Sequence, residues 1–494
     1  MSAPAGTLAS SALAARTRAR PREDERAERR SDLGPTLLCA VSATAIVGAC
    51  LVIVALAAHA ASFLSPTATA QRYPSWMSGP LSGLWPGAAP SGHELQWLVC
   101  GLLGLTFAAW VLVVLTASRV RPAWIIGAVV LAELILLLGP PMQYTDVFNY
   151  INYGRMGVLH HLDPYTTLPI HGPHSDPAFA ISNWHHLRSP YGPLFTLFTY
   201  ALVPLGVPAS MWTVKVLMVV LTSGVLALVW RLARHFGRPP ALAVAFVGLN
   251  PIVLIWGLGG VHIDVLMTLC ALGAVSLLLA PPQRLPSWTP PEALAGVLLV
   301  AAVGVKASAV LFLPLAIAIA PRRRPLLIGL VGAGVVLGAA TLAAFGPHLG
   351  GLRAQSKLVS PEGLPNLFGL IVGQGGDTTK LEDLITLAAG VVVLLAAVRA
   401  WRSPRTVMAC GCAATCAVIF SLGWSAPWYV IWALPFAALA PARRWRVLLI
   451  VYTIYALVAS CPTVFQIEHA LHFLPRNGTL GAAHVRYFDA LAAQ

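Results

Sequence analysis

The stretch "PMQYTDVFNYINYGRMGVLHHLDPY", residues 141–165, begins where a long apolar run ends at Pro140. It brings together a carboxylate, Asp146, with four tyrosines, an arginine and two adjacent histidines. Ionisable groups at a membrane boundary are costly unless they face a cavity or a partner. The stretch therefore predicts a membrane fold and, at the end of one of its helices, a functional site.

The composition of the whole chain also predicts a membrane protein. Of its 494 residues, 57% are hydrophobic and 10% are charged, and the mean hydropathy is +0.75. A soluble domain carries about 25% charged residues, so this chain belongs in a bilayer. The net charge of +14 reflects basic residues in short loops such as 321–325 and 441–446, as in cytoplasmic loops. These residues form no continuous basic face, so nucleic acid is not expected as a partner.

The apolar segments of the chain are candidates for transmembrane helices, which need about 20 apolar residues, or somewhat fewer when broken or packed by neighbours. They fall near residues 35–58, 96–117, 123–140, 193–207, 211–231, 240–257, 265–280, 293–305, 308–320, 326–345, 381–400, 405–422, 427–440 and 446–463. Placing the basic segment 231–238 inside requires that 193–207 or 211–231 not cross fully. The sequence thus predicts an all-α polytopic membrane protein with about 13 transmembrane helices.

The basic loops also predict the orientation of the chain and its division into regions. Residues 1–33 are expected to form a disordered cytoplasmic tail, and residues 34–463 the transmembrane domain. Residues 464–494 are expected to form an extracytoplasmic C-terminal tail. Residues 141–192 become a large extracytoplasmic loop containing short amphipathic helices. We expect a multi-pass protein of the plasma membrane with its active site on the outer face.

The eight cysteines lie in or beside apolar runs, and none forms a Cys-x-x-Cys pair. Cys412 and Cys416 would share a helix face, but no nearby histidine completes a zinc site. We interpret the cysteines as small buried hydrophobic residues.

Asp146 is the first candidate for a catalytic group, although a helix N-cap is an alternative role for it. On a helix that starts there, Asn149, Tyr150 and Tyr153 share a face three, four and seven residues on. An acid, an amide and phenolic hydroxyls on one face suit the hydroxyl groups of a sugar. Further candidates for sugar or acceptor binding nearby are Arg155, Asp163, Tyr165 and Tyr191.

Histidines are concentrated in this loop, which holds six of the fourteen in the chain. A zinc cluster is an alternative, but Gly-Pro interrupts "HGPH", and adjacent histidines would point apart on a helix. Interfacial histidines or donors to phosphate are the favoured interpretation, and no metal is expected.

A second candidate site lies in "NPIVLIWGLGGVHIDVLM", residues 250–267. Three glycines interrupt a helix there, and His262 and Asp264 begin the next one. Broken backbone at a membrane boundary is tolerated where it lines a cavity. The pair beside the break therefore predicts a site on the outer side.

Lys306 separates two short apolar segments in "VGVKASAVLFLP", so its ammonium either snorkels or meets an anion. Its place between two half-length helices favours an anion, and Lys306, His262 and Arg188 are our candidates for binding a phosphate. Trp428 and Tyr429 are candidates for contact with a sugar, with an ordinary aromatic belt as an equal alternative.

These groups favour an enzyme whose substrate is part lipid and part sugar. The sequence has no P-loop and no glycine-rich turn after a strand, and a site outside the cytoplasm has no access to nucleotide sugars. A lipid-phosphate sugar donor fits, because its prenyl tail can lie among the helices while its head group meets the loop.

In this order the motifs resemble the actinobacterial polyprenol-phosphate-mannose-dependent α-1,6-mannosyltransferases, integral-membrane members of the C-type glycosyltransferase superfamily. The resemblance is carried by "TDVFNYINYGRM", "LDPY", "SPYGPLF", "NPIVLIWGLGGVHIDVLM", "VKASAVLFLP" and "APWYVIWALP". It implies the C-type glycosyltransferase fold and gives Asp146 the place of the acid that engages the acceptor hydroxyl. The chain departs from the family at 144–146, where Ser-Arg-Asp is expected, and at 262–264, where His-Asn-Glu or His-Asn-Asp is expected.

The resemblance implies transfer of mannose from polyprenyl-phosphate mannose to a hydroxyl of a growing mannan or lipoglycan, with inversion. Asp146 would accept or orient the hydroxyl proton, and Lys306 with His262 and Arg188 would stabilise the leaving phosphate. Asp264 would orient His262 or bind a sugar hydroxyl.

The expected partners are the lipid-linked donor, a glycolipid or polysaccharide acceptor and membrane lipid, with no cofactor. One alternative is transfer of another sugar, such as arabinose or glucose, from the same class of donor. The other is a transporter or flippase of lipid-linked sugars, for which a repeat relating the two halves of the chain would be expected. We find no such repeat in the sequence.

Overall fold

The fold is known from a computed structural model that describes residues 33–58, 74–84, 92–142, 146–279, 290–347, 358–461, 463–475 and 478. Regular structure within these ranges is entirely helical, which confirms the all-α prediction for the part described. The predicted N-terminal tail, apart from Leu33, and most of the predicted C-terminal tail lie outside these ranges.

The helices follow one another along the chain with short connections. The first nine are α1 Leu33–Ala57, α2 Gly92–Thr116, α3 Pro122–Leu138, α4 Asp146–Leu159, α5 Pro193–Leu202, α6 Gly206–His235, α7 Pro240–Gly248, α8 Asp264–Leu279 and α9 Pro291–Val305. They are followed by α10 Phe312–Ile319, α11 Arg323–Phe345, α12 Leu364–Ile371, α13 Thr379–Arg402, α14 Val407–Ser421, α15 Val430–Leu439, α16 Arg443–Ala459 and α17 Val464–Ala470. A π-helical turn covers Val253–Gly259, and 3₁₀ turns include Ala307–Leu311 and Pro427–Tyr429.

Long apolar helices make this a membrane protein. Within the described residues, six helical runs are long and apolar enough to cross a bilayer, or seven if α7 and the π-helical turn, bent by 63°, form one span. Five further apolar helices have 10–17 residues, fewer than the roughly 20 of an unbroken span. The figure of about 13 transmembrane helices therefore stays a prediction, because it depends on counting these short helices as spans.

The segments 193–207 and 211–231 differ in length in the structure. Helix α5 has 10 residues, so it is about 15 Å long and cannot cross a hydrocarbon core of about 30 Å alone. Helix α6 has 30 residues, about 45 Å, and can cross. This agrees with the expectation that one of the two segments does not span fully.

Burial divides the helices into an inner and an outer set. Every residue of α15 and of the π-helical turn is buried, as are most residues of α8. By contrast α11 and α13 expose apolar side chains such as Val336 (72%) and Leu395 (63%). Such surfaces suit lipid, and the short inner helices are the ones that end at the site.

One disulfide differs from the sequence interpretation of the cysteines. Cys100, in α2, is bonded to Cys461, just after α16, with Cα atoms 6.1 Å apart. The interpretation as buried hydrophobic residues is therefore wrong for these two. The other described cysteines are buried and free. The partners are separated by 361 residues, and nothing in local spacing indicates such a pairing.

Candidate functional site

The backbone that leads to Asp146 is held by two sets of hydrogen bonds. The buried ammonium of Lys215 donates to the carbonyls of Leu136, Gly139 and Pro140, at 2.8–3.2 Å, and so caps the C-terminal end of α3. The next residues are tied to the π-helical turn, because Met142 N donates to the Gly259 carbonyl at 2.7 Å. These bonds explain the buried lysine, which the sequence leaves without a role.

The broken helix at 250–267 folds His262 back onto its own turn. Val261 has φ +59°, an uncommon conformation for a β-branched residue, and strain of this kind is concentrated at functional sites. A side chain at Gly260 would lie 2.7 Å from the imidazole, so only glycine fits. His262 Nδ1 donates to the Trp256 carbonyl at 2.6 Å, since a carbonyl only accepts, and this turns Nε2 towards Asp146.

Asp146 lies at the start of α4 with its carboxylate near the imidazole. Its Oδ2 is 3.5 Å from His262 Nε2, longer than a good hydrogen bond, and its Oδ1 accepts from Trp184 Nε1 at 3.1 Å. His262 is fully buried and is stacked on Trp428, with ring centroids 3.7 Å apart. The structure thus places His262 against the acid rather than on the wall of the pocket.

Asp264 and Lys306 form an ion pair beside this acid. Lys306 Nζ is 2.8 Å from Asp264 Oδ1, which also accepts from Trp432 Nε1. The ammonium lies 4.3 Å from the centre of the Tyr429 ring and 5.0 Å from that of Trp432. It therefore meets an anion and two aromatic faces, as a cation between half-length helices requires.

The end of α9 that carries Lys306 is fixed by a close approach of two backbones. Gly192 N donates to the Val305 carbonyl at 3.0 Å. A Cβ on Gly192 would lie 2.2 Å from the Gly304 carbonyl oxygen, so any side chain would push α5 away from α9. The motif "SPYGPLF" thus positions the lysine as well as its own tyrosine.

A pocket opens between these groups. The space is about 450 Å³ and is lined by Asp146, Tyr150, Trp184, Leu187, Pro190, Tyr191, Asp264, Lys306, Leu358, Trp424, Trp428 and Tyr429. Two acids and one cation meet there with six aromatic rings, and all lie at the ends of helices or in the connections between them. Among the described residues, no three His, Cys, Asp or Glu side chains are grouped as metal ligands.

Several predicted residues lie outside this pocket. Tyr153 donates to the Leu187 carbonyl, Tyr165 to the Tyr191 carbonyl, and Asp163 accepts from the N–H of Tyr165. Arg188 is exposed and does not line the pocket. Roles for these residues in substrate binding stay predictions.

Arg155 pairs with Asp176, a residue the sequence analysis did not single out. Arg155 Nε is 2.8 Å from Asp176 Oδ1, His160 Nε2 is 2.7 Å from Oδ2, and the Ala178 N–H donates to Oδ1. Burial alone would raise the pKa of Asp176, but these hydrogen bonds outweigh it and lower the pKa below its usual range. The group holds the loop together.

Helix α4 is more enclosed than an amphipathic surface helix. All residues from Asp146 to Gly154 are buried. Asn149 accepts from the N–H groups of Asn183 and Trp184. This places the Trp184 indole on Asp146. The sequence gave no periodic signal for Trp184, because its contact crosses an irregular segment.

The described helices and this pocket define a class: a polytopic helical membrane protein with an enclosed polar site where short inner helices end. A family model described as "Alpha-(1->6)-mannopyranosyltransferase, N-terminal domain" matches residues 43–322, and one described as "MptB C-terminal domain" matches residues 368–482. The chain therefore belongs to the alpha-(1->6)-mannopyranosyltransferase family, which confirms the resemblance seen in the sequence.

Individual relatives agree with this assignment. The chain is 29% identical over 344 residues to Alpha-(1->6)-mannopyranosyltransferase A of Mycobacterium tuberculosis, covering 63% of this chain and 64% of the relative. It is 34% identical over 190 residues to the protein of the same name from Corynebacterium glutamicum, covering 36% and 35%. The matched regions thus span less than two thirds of these relatives.

Proposed function

We propose that this protein transfers mannose from polyprenyl-phosphate mannose to a hydroxyl of a growing α-1,6-linked mannan or lipoglycan. The observation that carries the proposal is one pocket in which Asp146 and Lys306 both form part of the wall. A reaction that removes a proton from a hydroxyl and releases a phosphate needs a base and a cation at one carbon. The family membership supports mannose as the transferred sugar.

In the proposed step the acceptor oxygen attacks the anomeric carbon while the bond from that carbon to the phosphate oxygen breaks. The hydroxyl proton passes to Asp146, and His262 Nε2, 3.5 Å away, helps to hold the resulting pair. Attack opposite the leaving group inverts the anomeric centre, so a β-linked donor gives an α-linked product.

The leaving phosphate monoester departs as an anion, and Lys306 is the cation on the pocket wall that can stabilise it. Asp264 and the Tyr429 ring fix the position of this ammonium. We propose no metal or other cofactor, because a single phosphate leaves and a lysine is in place to receive its charge.

We further propose that the site faces the outer side of the plasma membrane. The basic loops favour this orientation. The Cys100–Cys461 disulfide adds an independent argument, since disulfides persist in oxidising compartments. Cys461 directly follows Ser460, which lines a space that also contacts the site tryptophans Trp424 and Trp428.

The test uses purified protein in detergent with a soluble mannoside acceptor. We expect labelled product from polyprenyl-phosphate mannose and none from polyprenyl-phosphate arabinose or glucose. Preferred use of another sugar would replace mannose as the substrate. A wild-type protein that transfers nothing, but moves the labelled lipid across the bilayer of a vesicle, would support the transporter alternative instead.

A further inference from the structure

A second pocket lies beside the first, on the other side of two tryptophans. It holds about 680 Å³ of open space and is lined by Ser360, Pro361, Glu362, Trp424, Ser425, Ala426, Pro427, Trp428, Tyr455, Ala456, Ala459 and Ser460. Trp424 and Trp428 line both pockets, so the two spaces share a wall. A ligand that leaves the first pocket past these rings would enter the second.

The walls of this second pocket are fastened to one another. Ser360 N donates to the Gly423 carbonyl at 2.9 Å, and Ser425 N donates to Ser360 Oγ at 2.9 Å. The Tyr455 hydroxyl donates to the Glu362 carbonyl. The segment around Ser360 is thus attached both to the loop before α15 and to α16, which gives a preformed space.

The floor of the second pocket is formed by small side chains on one face of α16. Ala456 and Ala459 are three residues apart, so they share that face, and Ser460 lies next to them. No bulky side chain from this helix fills the space.

The chemistry of the second pocket differs from that of the first. Its described lining includes an acid, Glu362, and several serines, but no lysine, arginine or histidine. A phosphate would find no cation there. Aromatic rings from Trp424, Trp428 and Tyr455 offer apolar faces for a pyranose ring, and a carboxylate accepts hydrogen bonds from sugar hydroxyls.

We propose that the second pocket binds the sugar residues of the acceptor glycan that precede the residue carrying the attacking hydroxyl. The proposal rests on the proposed function, since it requires the first pocket to hold the donor sugar between Asp146 and Lys306. The donor ends in a phosphate and a lipid, so the glycan acceptor is the substrate that needs an uncharged polar extension of the site.

The experiment compares a single-sugar acceptor, an alkyl α-mannoside, with an α-1,6-linked mannotetraoside on the purified full-length protein. The wild type should show a lower KM for the tetraoside. Ala459→Phe fills the floor of the pocket and should raise the KM for the tetraoside by about tenfold or more, the equivalent of one lost contact region, while transfer to the single sugar stays unchanged.

The matched control is Val458→Phe, the next residue on α16, which is 51% exposed and does not line the pocket. It should alter neither KM. Glu362→Gln should raise the KM for the tetraoside by a smaller factor than Ala459→Phe.

Transfer to the single sugar reports that the Ala459→Phe protein is folded. Equal loss with both acceptors, or equal KM values for both in the wild type and the variant, would overturn the second pocket as a binding site. A wild type that transfers to neither acceptor would overturn the proposed function itself, so the two failures are distinguishable.

Discussion

Two regions of this molecule combine a buried carboxylate, a histidine and a basic side chain within a few ångströms. In the loop after α4, Asp176 lies between Arg155 and His160, with distances of 2.8 and 2.7 Å. Its side chain is 4% exposed, and its two oxygens also accept a second contact from Arg155 and the Ala178 N–H. The hydrogen-bonding capacity of this carboxylate is used within the loop.

At the pocket the same residue types are arranged with room to spare. Asp146 is 10% exposed, its contact with His262 is 3.5 Å long, and it lines an open space together with Lys306. The ammonium is itself 15% exposed although it is paired with Asp264. A substrate can therefore compete for the groups at the pocket but not for those in the loop.

The comparison teaches that residue composition alone does not separate a structural ion pair from a site. The distinguishing features are unspent hydrogen-bonding capacity and access to a space, and both depend on the fold. The predictions below test the distinction between these two regions, which we call the pocket cluster (Asp146, His262, Asp264 and Lys306) and the loop cluster (Arg155, His160 and Asp176).

The largest effect should come from Asp146→Asn. Removing the proposed base should lower kcat/KM for mannosyl transfer by about 10²–10⁴-fold, while the thermal midpoint changes little because Asn keeps the contact with Trp184. The matched variant in the loop cluster, Asp176→Asn, should retain its activity per folded molecule. Equal activity losses in the two variants would contradict the distinction.

Lys306→Met should follow, with a loss of about 10²–10³-fold, the range measured when one preorganised electrostatic group is removed. Part of the loss would arise from Asp264, which keeps its buried charge without the ammonium. Lys380→Met, at the exposed start of α13, is the control and should have near wild-type rates. Wild-type rates in Lys306→Met would rule out this cation as the phosphate partner.

The disulfide should affect stability rather than catalysis. Replacing Cys100 and Cys461 by serine should reduce the free energy of unfolding by about 2–4 kcal/mol, seen as a lower thermal midpoint in detergent, with kcat unchanged. The same loss of midpoint on adding a reductant to the wild type, and none in the double variant, is the matching control. An unchanged midpoint in both would show that the bond adds no stability.

The smallest effect should be the pH dependence contributed by the loop cluster. The pKa of Asp176 is lower in the folded protein than its unfolded value of about 3.9, so its ion pairing stabilises the fold fully above that pH. This contribution is lost as the pH falls below about 3.9. At neutral pH Asp176→Asn should cost about 1–3 kcal/mol, and the difference between variant and wild type should shrink in acid. A constant difference across the pH range would contradict the pairing.

The sequence predicted the elements of the site better than its boundaries. Asp146, His262, Asp264 and Lys306 were each found because a charge or a glycine break interrupts an apolar run, and the structure brings these four residues together. Such interruptions are visible in one dimension.

Contacts that cross irregular segments were not predictable in this way. The indole of Trp184 and the carboxylate of Asp176 take their partners from residues 21 and 38 positions away, across turns without a repeating pattern. The disulfide spans nearly the whole chain. For the same reason Arg155, expected to contact a sugar, is found paired within the loop.

The most direct measurement is the structure of the full-length protein bound to a non-transferable donor, such as the phosphonate analogue of polyprenyl-phosphate mannose. We expect a phosphonate oxygen at about 3 Å from Lys306 Nζ, with the anomeric carbon turned towards Asp146 and the prenyl chain leaving among the helices. A head group bound away from the pocket cluster, or an anomeric carbon facing away from Asp146, would contradict the account.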